Sequence, residues 1–141
     1  MNNSTIRLDG KNILITGVSR PMGIGATLAK RLAEAGAIIA VHGFSDYDLT
    51  TNHLSSMPNC TEFVTKQLND LGLNVIALTS SDLEISGNAE KIIEEAVKKL
   101  GTLDGLILNH TKGESVEIGK WTPEHIDPIL LVNVRASMMM I

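Results

Sequence analysis

The residues with the most chemical content lie near the start of the chain, in Thr16-Gly17-Val18-Ser19-Arg20-Pro21-Met22-Gly23-Ile24-Gly25. A glycine at 17 lets a chain leaving a strand turn sharply. Glycines at 23 and 25 remove side chains where backbone N–H groups at a helix start can face an anion, and the helix dipole adds to the attraction. The chemistry this arrangement suits is capture of a pyrophosphate in the first βα turn of a βαβ unit. The alternative is an ordinary tight turn. No Lys-Ser or Lys-Thr pair follows the glycines to meet phosphate and magnesium, so P-loop nucleotide hydrolysis is disfavoured. An S-adenosylmethionine site wants a carboxylate for the ribose at the end of the second strand, where this chain has Gly43. A dinucleotide is the expected ligand.

Other candidate groups carry less. Cys60 is the single cysteine, has no disulfide partner, and reads as a small helix residue rather than a zinc ligand. His110 has no Ser, Cys or carboxylate that can be named as its partner and reads as an exposed loop histidine. Asp82, in Ser80-Ser81-Asp82-Leu83, is either a ligand-facing group or a helix-capping residue. With a formal net charge of -4 and scattered Lys and Arg, the chain offers no basic field to a nucleic acid. The longest apolar runs, residues 37–41 and 129–132, fall far short of the ~20 residues of a membrane helix. Residues 1–10 lack the basic start and apolar centre of a secretory signal, which with the lone cysteine points to the cytoplasm.

Elements of alternating type must position these groups. The 141 residues, 43% hydrophobic and 20% charged, describe one soluble domain (residues 1–141) or part of a larger one. Residues 12–16 read as a buried strand, and residues 23–35 as a helix with Ile24, Leu28, Ala29, Leu32 and Ala33 on one face and Gly36 as its stop. A strand over 37–42 precedes a mixed, turn-rich stretch, 43–59, that reads as a mobile loop. Phe63, Val64, Gln67, Leu68 and Leu71 mark a helix face closed by Gly72, and residues 73–79 a third strand. The clearest helix covers residues 88–100. Ala89, Ile92, Ile93, Ala96, Val97 and Leu100 share its face, and Glu94/Lys98 and Glu95/Lys99 are spaced four apart. A fourth strand over 103–109 and a helix begun by Thr122-Pro123 and running to the last residue complete the pattern. Strand-helix alternation of this kind implies a doubly wound α/β fold with a parallel sheet, its ligands held beyond the carboxyl ends of the strands, after Thr16, His42, Thr79 and Asn109.

On these residues the chain resembles the short-chain dehydrogenase/reductase family from about Ile6 onward. Thr16, Gly17, Gly23 and Gly25 match its T-G-x-x-x-G-x-G motif, with a stretch two residues longer between the glycines. The resemblance places Asp82 and Leu83 beside an adenine, matches Asn109 to the second Asn of the family's N-N-A-G stretch, and fits Val132-Asn133-Val134-Arg135-Ala136 to its V-N-x-x-A/G pattern. It implies a Rossmann-type sheet and a nicotinamide dinucleotide, NAD or NADP, contacted by Thr16, Gly17, Ser19, Arg20, Gly23, Ile24, Gly25, Asp82, Leu83 and Asn109. It gives Asn133 a catalytic part, helping to position a lysine through its carbonyl and a water. Arg20, placed like the basic residue that meets the 2′-phosphate in NADP-preferring relatives, tilts the expectation to NADP. Asp46, a few residues beyond Gly43, leaves an acidic group for NAD.

The family's proton chemistry uses a Ser and a Tyr-x-x-x-Lys, and neither is here: Tyr47, the one tyrosine, has Thr51 four residues on. The resemblance therefore implies an oxidoreductase that moves a hydride between a nicotinamide cofactor and a small carbonyl or alcohol substrate. These residues would supply cofactor binding, about four strands being present, the C-terminal part missing and the isolated chain inactive. The alternative is a non-catalytic nucleotide-binding or interaction module. An uncovered edge at residues 106–108 and apolar residues Ile129, Leu130, Val132 and Met138 to Ile141 lead to an expected homo-oligomer.

Overall fold

Four short apolar segments pair into a parallel sheet: β1 (Asn12–Ile15), β2 (Ile38–Val41), β3 (Val75–Ala77) and β4 (Gly105–Ile107), in the order β3-β2-β1-β4. The computed structural model describes residues 6–51 and 56–141. Leu14 lies beside Ala40 on one side and Leu106 on the other, so β1 is central and buried along its whole length. Alternate residues of a strand face opposite ways, and the sheet therefore divides the core in two. Ile13, Ile15, Ile39 and Val41 pack on α1 (Ile24–Glu34) and α3 (Cys60–Asp70) through Ala26, Ala29, Ala33, Cys60, Val64 and Leu68. Leu14, Ala40 and Leu78 pack on α4 (Asn88–Leu100) and the C-terminal helix through Ile92, Ala96, Val132, Ala136 and Met140. Helices on both faces of a parallel sheet make the fold the doubly wound α/β type.

Several sequence expectations change. Residues 43–59 are not one loop: α2 (Ser45–Thr50) forms there, and residues 52–55 lie outside the described residues. On α3 the buried face is Cys60, Thr61, Val64, Thr65 and Leu68, while Phe63 and Leu71 are exposed. The rotation is possible because the buried threonines are satisfied: Thr61 Oγ1 donates to the Val18 carbonyl at 2.8 Å and Thr65 Oγ1 to the Thr61 carbonyl at 2.8 Å. Ile24 and Val97 are exposed although their spacing puts them with the core residues of their helices. The last helix is α5 (Pro123–Leu130), a π-helical stretch Leu131–Ala136, and α6 (Ser137–Met139). Met140 and Val132 are buried rather than exposed apolar surface. No helix among the described residues is long and apolar enough to cross a membrane.

Candidate functional site

At the carboxyl end of β1 the chain turns at Gly17 (φ +73°), where an added Cβ would come within 2.7 Å of the Asn109 carbonyl oxygen. Glycine is obligatory there for both conformation and space. Asn109 fastens the turn to the end of β4 through Nδ2, which donates to the carbonyls of Thr16 (3.2 Å) and Gly17 (3.0 Å). The extra length between the glycines is taken up by a hydrogen-bonded turn, Gly23 N donating to the Arg20 carbonyl at 3.0 Å. Gly25, buried, also faces the turn itself: a Cβ would lie 2.7 Å from the Gly17 carbonyl oxygen. Gly23 differs, with φ -80° and ψ 165°, a conformation open to any residue. It stands at the start of α1, which has neither a capping side chain nor an acidic first turn, and so leaves the positive end of the helix open.

These elements bound a solvent-open cleft at the carboxyl ends of the strands. Of the sequence-predicted residues, Gly17, Ser19, Arg20, Gly23, Ile24, Asp82, Leu83 and Asn109 line it. Thr16 and Gly25 lie behind the wall, and Asn133 is outside it, holding the backbone of Lys112: its Oδ1 accepts from Lys112 N at 2.8 Å and its Nδ2 donates to the Lys112 carbonyl at 2.9 Å. The Asn133 carbonyl accepts the Ser137 hydroxyl at 2.9 Å. Asp82 makes a local turn, its Oδ1 accepting from Glu84 N at 2.9 Å, while still lining the cleft.

Sequence reasoning missed a second set on the same wall: His42, Tyr47, Asp48, His110 and Lys112. His110 is not an exposed loop residue. It is half-buried, with Nδ1 2.6 Å from Thr16 Oγ1 and Nε2 3.1 Å from the Val132 carbonyl, and burial lowers its pKa. With Nε2 as donor to Val132, Nδ1 accepts the Thr16 hydroxyl, and the imidazole is a peg tying β1 to the π-helical stretch. His42 is 1% exposed, and burial pushes its pKa down to about 4. Its Nε2 faces the Ser81 carbonyl at 3.1 Å, and Nδ1, itself out of solvent, has no partner among the described residues. Asp48, not the exposed Asp46, is the buried acid: it accepts the Ser19 hydroxyl, and its Oδ1 lies 3.5 Å from Arg20 Nε. Lys112 Nζ pairs with Glu84 at 2.5 Å and lies 5.6 Å from the centroid of the Tyr47 ring. Cys60 is buried, its thiol pushed up to about 11 by burial, in keeping with an inert helix residue. No cluster of metal-ligating side chains occurs among the described residues.

Residues 11–141 match the family described as short chain dehydrogenase. An uncharacterized oxidoreductase of Methylorubrum extorquens is 34% identical over 133 residues, which cover 94% of this chain and 48% of that protein. A short chain dehydrogenase of Burkholderia cenocepacia, solved in complex with NADP, is similar with a TM-score of 0.79 and 30% identity over 95% of this chain and 49% of that one. A 3-oxoacyl (acyl-carrier-protein) reductase of Agrobacterium tumefaciens, solved with NADP bound, gives a TM-score of 0.79 and 28% identity over 99% and 48%. The chain spans about half the length of these relatives.

Proposed function

The chain belongs to the short-chain dehydrogenase family, and on that premise we propose that its cleft binds a nicotinamide dinucleotide, as the cofactor-holding part of an oxidoreductase acting on a small carbonyl or alcohol. The observation that carries this reading is Gly23. It lines the cleft at the uncapped start of α1 and puts no side chain between the helix N-terminus and a ligand; its φ and ψ suit any residue, while an added Cβ would stand 3.1 Å from the Arg20 carbonyl oxygen, so the tight turn also favours glycine. The wall suits such a group: Arg20 supplies donors, Ser19 a hydroxyl, and Asp82 and Leu83 a polar and an apolar side for a base. When bound, the nicotinamide supplies the hydride. The residues of this chain bind and orient it: Asn109 fixes the turn, and Asn133 fixes the loop carrying Lys112, acting as a positioning residue.

NADP is the proposed form, because Arg20 is the cleft cation nearest the glycine turn and suits a 2′-phosphate. Fluorescence titration of NADPH and NADH tests this. Arg20→Ala is expected to weaken NADPH more than NADH, and an equal effect on both removes the NADP assignment. The 141 residues alone are proposed to be inactive, which also supports the second reading, a binding module without turnover. Tyr47 Oη donates to the Gly113 carbonyl at 2.9 Å and accepts from Gly113 N at 3.2 Å, so the single phenol is committed to backbone. A cytoplasmic location is proposed on the one buried cysteine, and self-association on the exposed apolar residues of the last helix.

A further inference from the structure

Helices α1 and α3 cover one face of the sheet, and α4 and the last helix cover the other. The chain therefore leaves β1 and β2 toward the first face and β4 toward the second, and the cleft is the crevice between these departures. Two sets of contacts cross it. At its floor Asn109 and His110 bond to Gly17 and Thr16. At its rim the phenol of Tyr47, on α2 after β2, reaches Gly113 beyond β4, donating to its carbonyl at 2.9 Å and accepting from its N–H at 3.2 Å. Because β1 stands between β2 and β4, this second crossing arches over the carboxyl end of β1, where the glycine turn begins.

Both ends of the arch are rooted. The Tyr47 carbonyl accepts from Thr50 Oγ1 at 2.7 Å and from Thr51 Oγ1 at 3.2 Å. Asn133 holds both backbone groups of Lys112, the residue before Gly113. Glu84, the partner of the Lys112 ammonium beside the Tyr47 ring, has its own carbonyl held by Arg135 Nη2 at 2.6 Å. Between these fixed roots the phenol-to-Gly113 pair lies at an exposed edge, where water can take its place.

We propose that Tyr47 is the clasp of a lid that α2 forms over the cleft: its phenol leaves Gly113 to let a dinucleotide in or out and returns to it over the bound ligand, so it sets the speed of cofactor exchange and not the affinity. The inference rests on the dinucleotide reading of the cleft. A clasp that closes equally over an empty and a filled cleft adds the same opening step to entry and to exit. Weakening it then raises both rates by one factor and shifts no equilibrium.

The test reads exchange rather than turnover. Stopped-flow fluorescence of NADPH, mixed with the protein and then displaced by excess NADP⁺, gives both rate constants. In Tyr47→Phe, which keeps the ring beside Lys112 and removes both hydrogen bonds, association and dissociation are each expected to rise roughly tenfold, the scale of two solvent-facing hydrogen bonds, with the dissociation constant within about twofold of the parent. Gly113→Ala keeps both backbone groups, and its added Cβ meets nothing within 4 Å, so both rates should stay as in the parent. Without any ligand, the Gly113 amide should exchange roughly tenfold faster in Tyr47→Phe than in the parent. Unchanged rates or unchanged Gly113 exchange in Tyr47→Phe, a weaker dissociation constant with association unaltered, or an equal rise in Gly113→Ala overturns the proposal while leaving the cleft reading intact. Failure of folded parent and variant to bind NADPH removes that reading and the proposal with it.

Discussion

The glycines of the first turn look alike in the sequence and differ in what they do. Gly17 combines a left-handed backbone with a Cβ position 2.7 Å from backbone atoms of Asn109 and His110. Gly17→Ala is expected to destabilise the fold by about 3 kcal/mol or more, read as a lower urea midpoint. The histidines were legible only as residues, because their roles come from burial that no local pattern encodes. His42 has a folded pKa of about 4 against an ordinary value of 6.5. The unfolded chain therefore takes up its proton first as pH falls. The stability this contributes is whole above about 6.5 and lost on going down to about 4, a total of about 3 kcal/mol. His110, lowered by burial, acts in the same direction, and Glu95, also lowered, adds further loss in acid. Urea unfolding at pH 7 and pH 4.5 should show the drop, and His42→Gln should flatten most of it. A parent equally stable at both values would contradict the burial argument.

Among the elements, α4 was legible in its bounds and in most of its face, Val97 being the exposed exception, and Glu95 pairs with Lys99 at 2.8 Å as the spacing allows. The face of α3 was misplaced because buried threonines that bond to backbone look polar in sequence, and α2 was missed because distant side chains hold it. Asp48 meets Ser19, and Ser45 Oγ accepts from Cys60 N at 3.2 Å. Neither contact leaves a periodic trace. The last helix was foreseen, but not the π-helical stretch on which Asn133 sits. Removing both Asn133 bonds in Asn133→Ala should cost about 2 kcal/mol locally and raise exchange at the Lys112 amide by roughly thirtyfold. Asn133→Asp keeps the acceptor for Lys112 N and should lose less. Unchanged exchange in Asn133→Ala would show that the loop is held by other contacts.

At the scale of the molecule, the sheet ends at β4, whose outer edge is unpaired among the described residues, and the nearby helix exposes Val134 and Met138, the latter 70% accessible. The 141-residue chain is therefore expected to self-associate in size-exclusion chromatography, and Val134→Lys with Met138→Glu to shift it toward monomer. A parent that runs as a stable monomer contradicts this. With no free phenol to move a proton, the same chain should leave carbonyl substrates at the uncatalysed rate with either reduced cofactor, and measurable turnover would return Tyr47 or His110 to catalysis. That the sheet is parallel and that a cleft opens beyond the carboxyl ends of its strands was legible, since alternating buried strands and amphipathic helices admit few other arrangements; the order β3-β2-β1-β4 was not read from the sequence. The most direct test of the account is calorimetric titration of NADPH into the parent and into Gly23→Val, whose φ and ψ valine can adopt once the Arg20 carbonyl, 3.1 Å from the added Cβ, gives by a few tenths of an ångström. One site per chain in the parent, lost in a Gly23→Val protein of unchanged circular dichroism, is the predicted result; no binding by the folded parent, or equal binding by both, would contradict it.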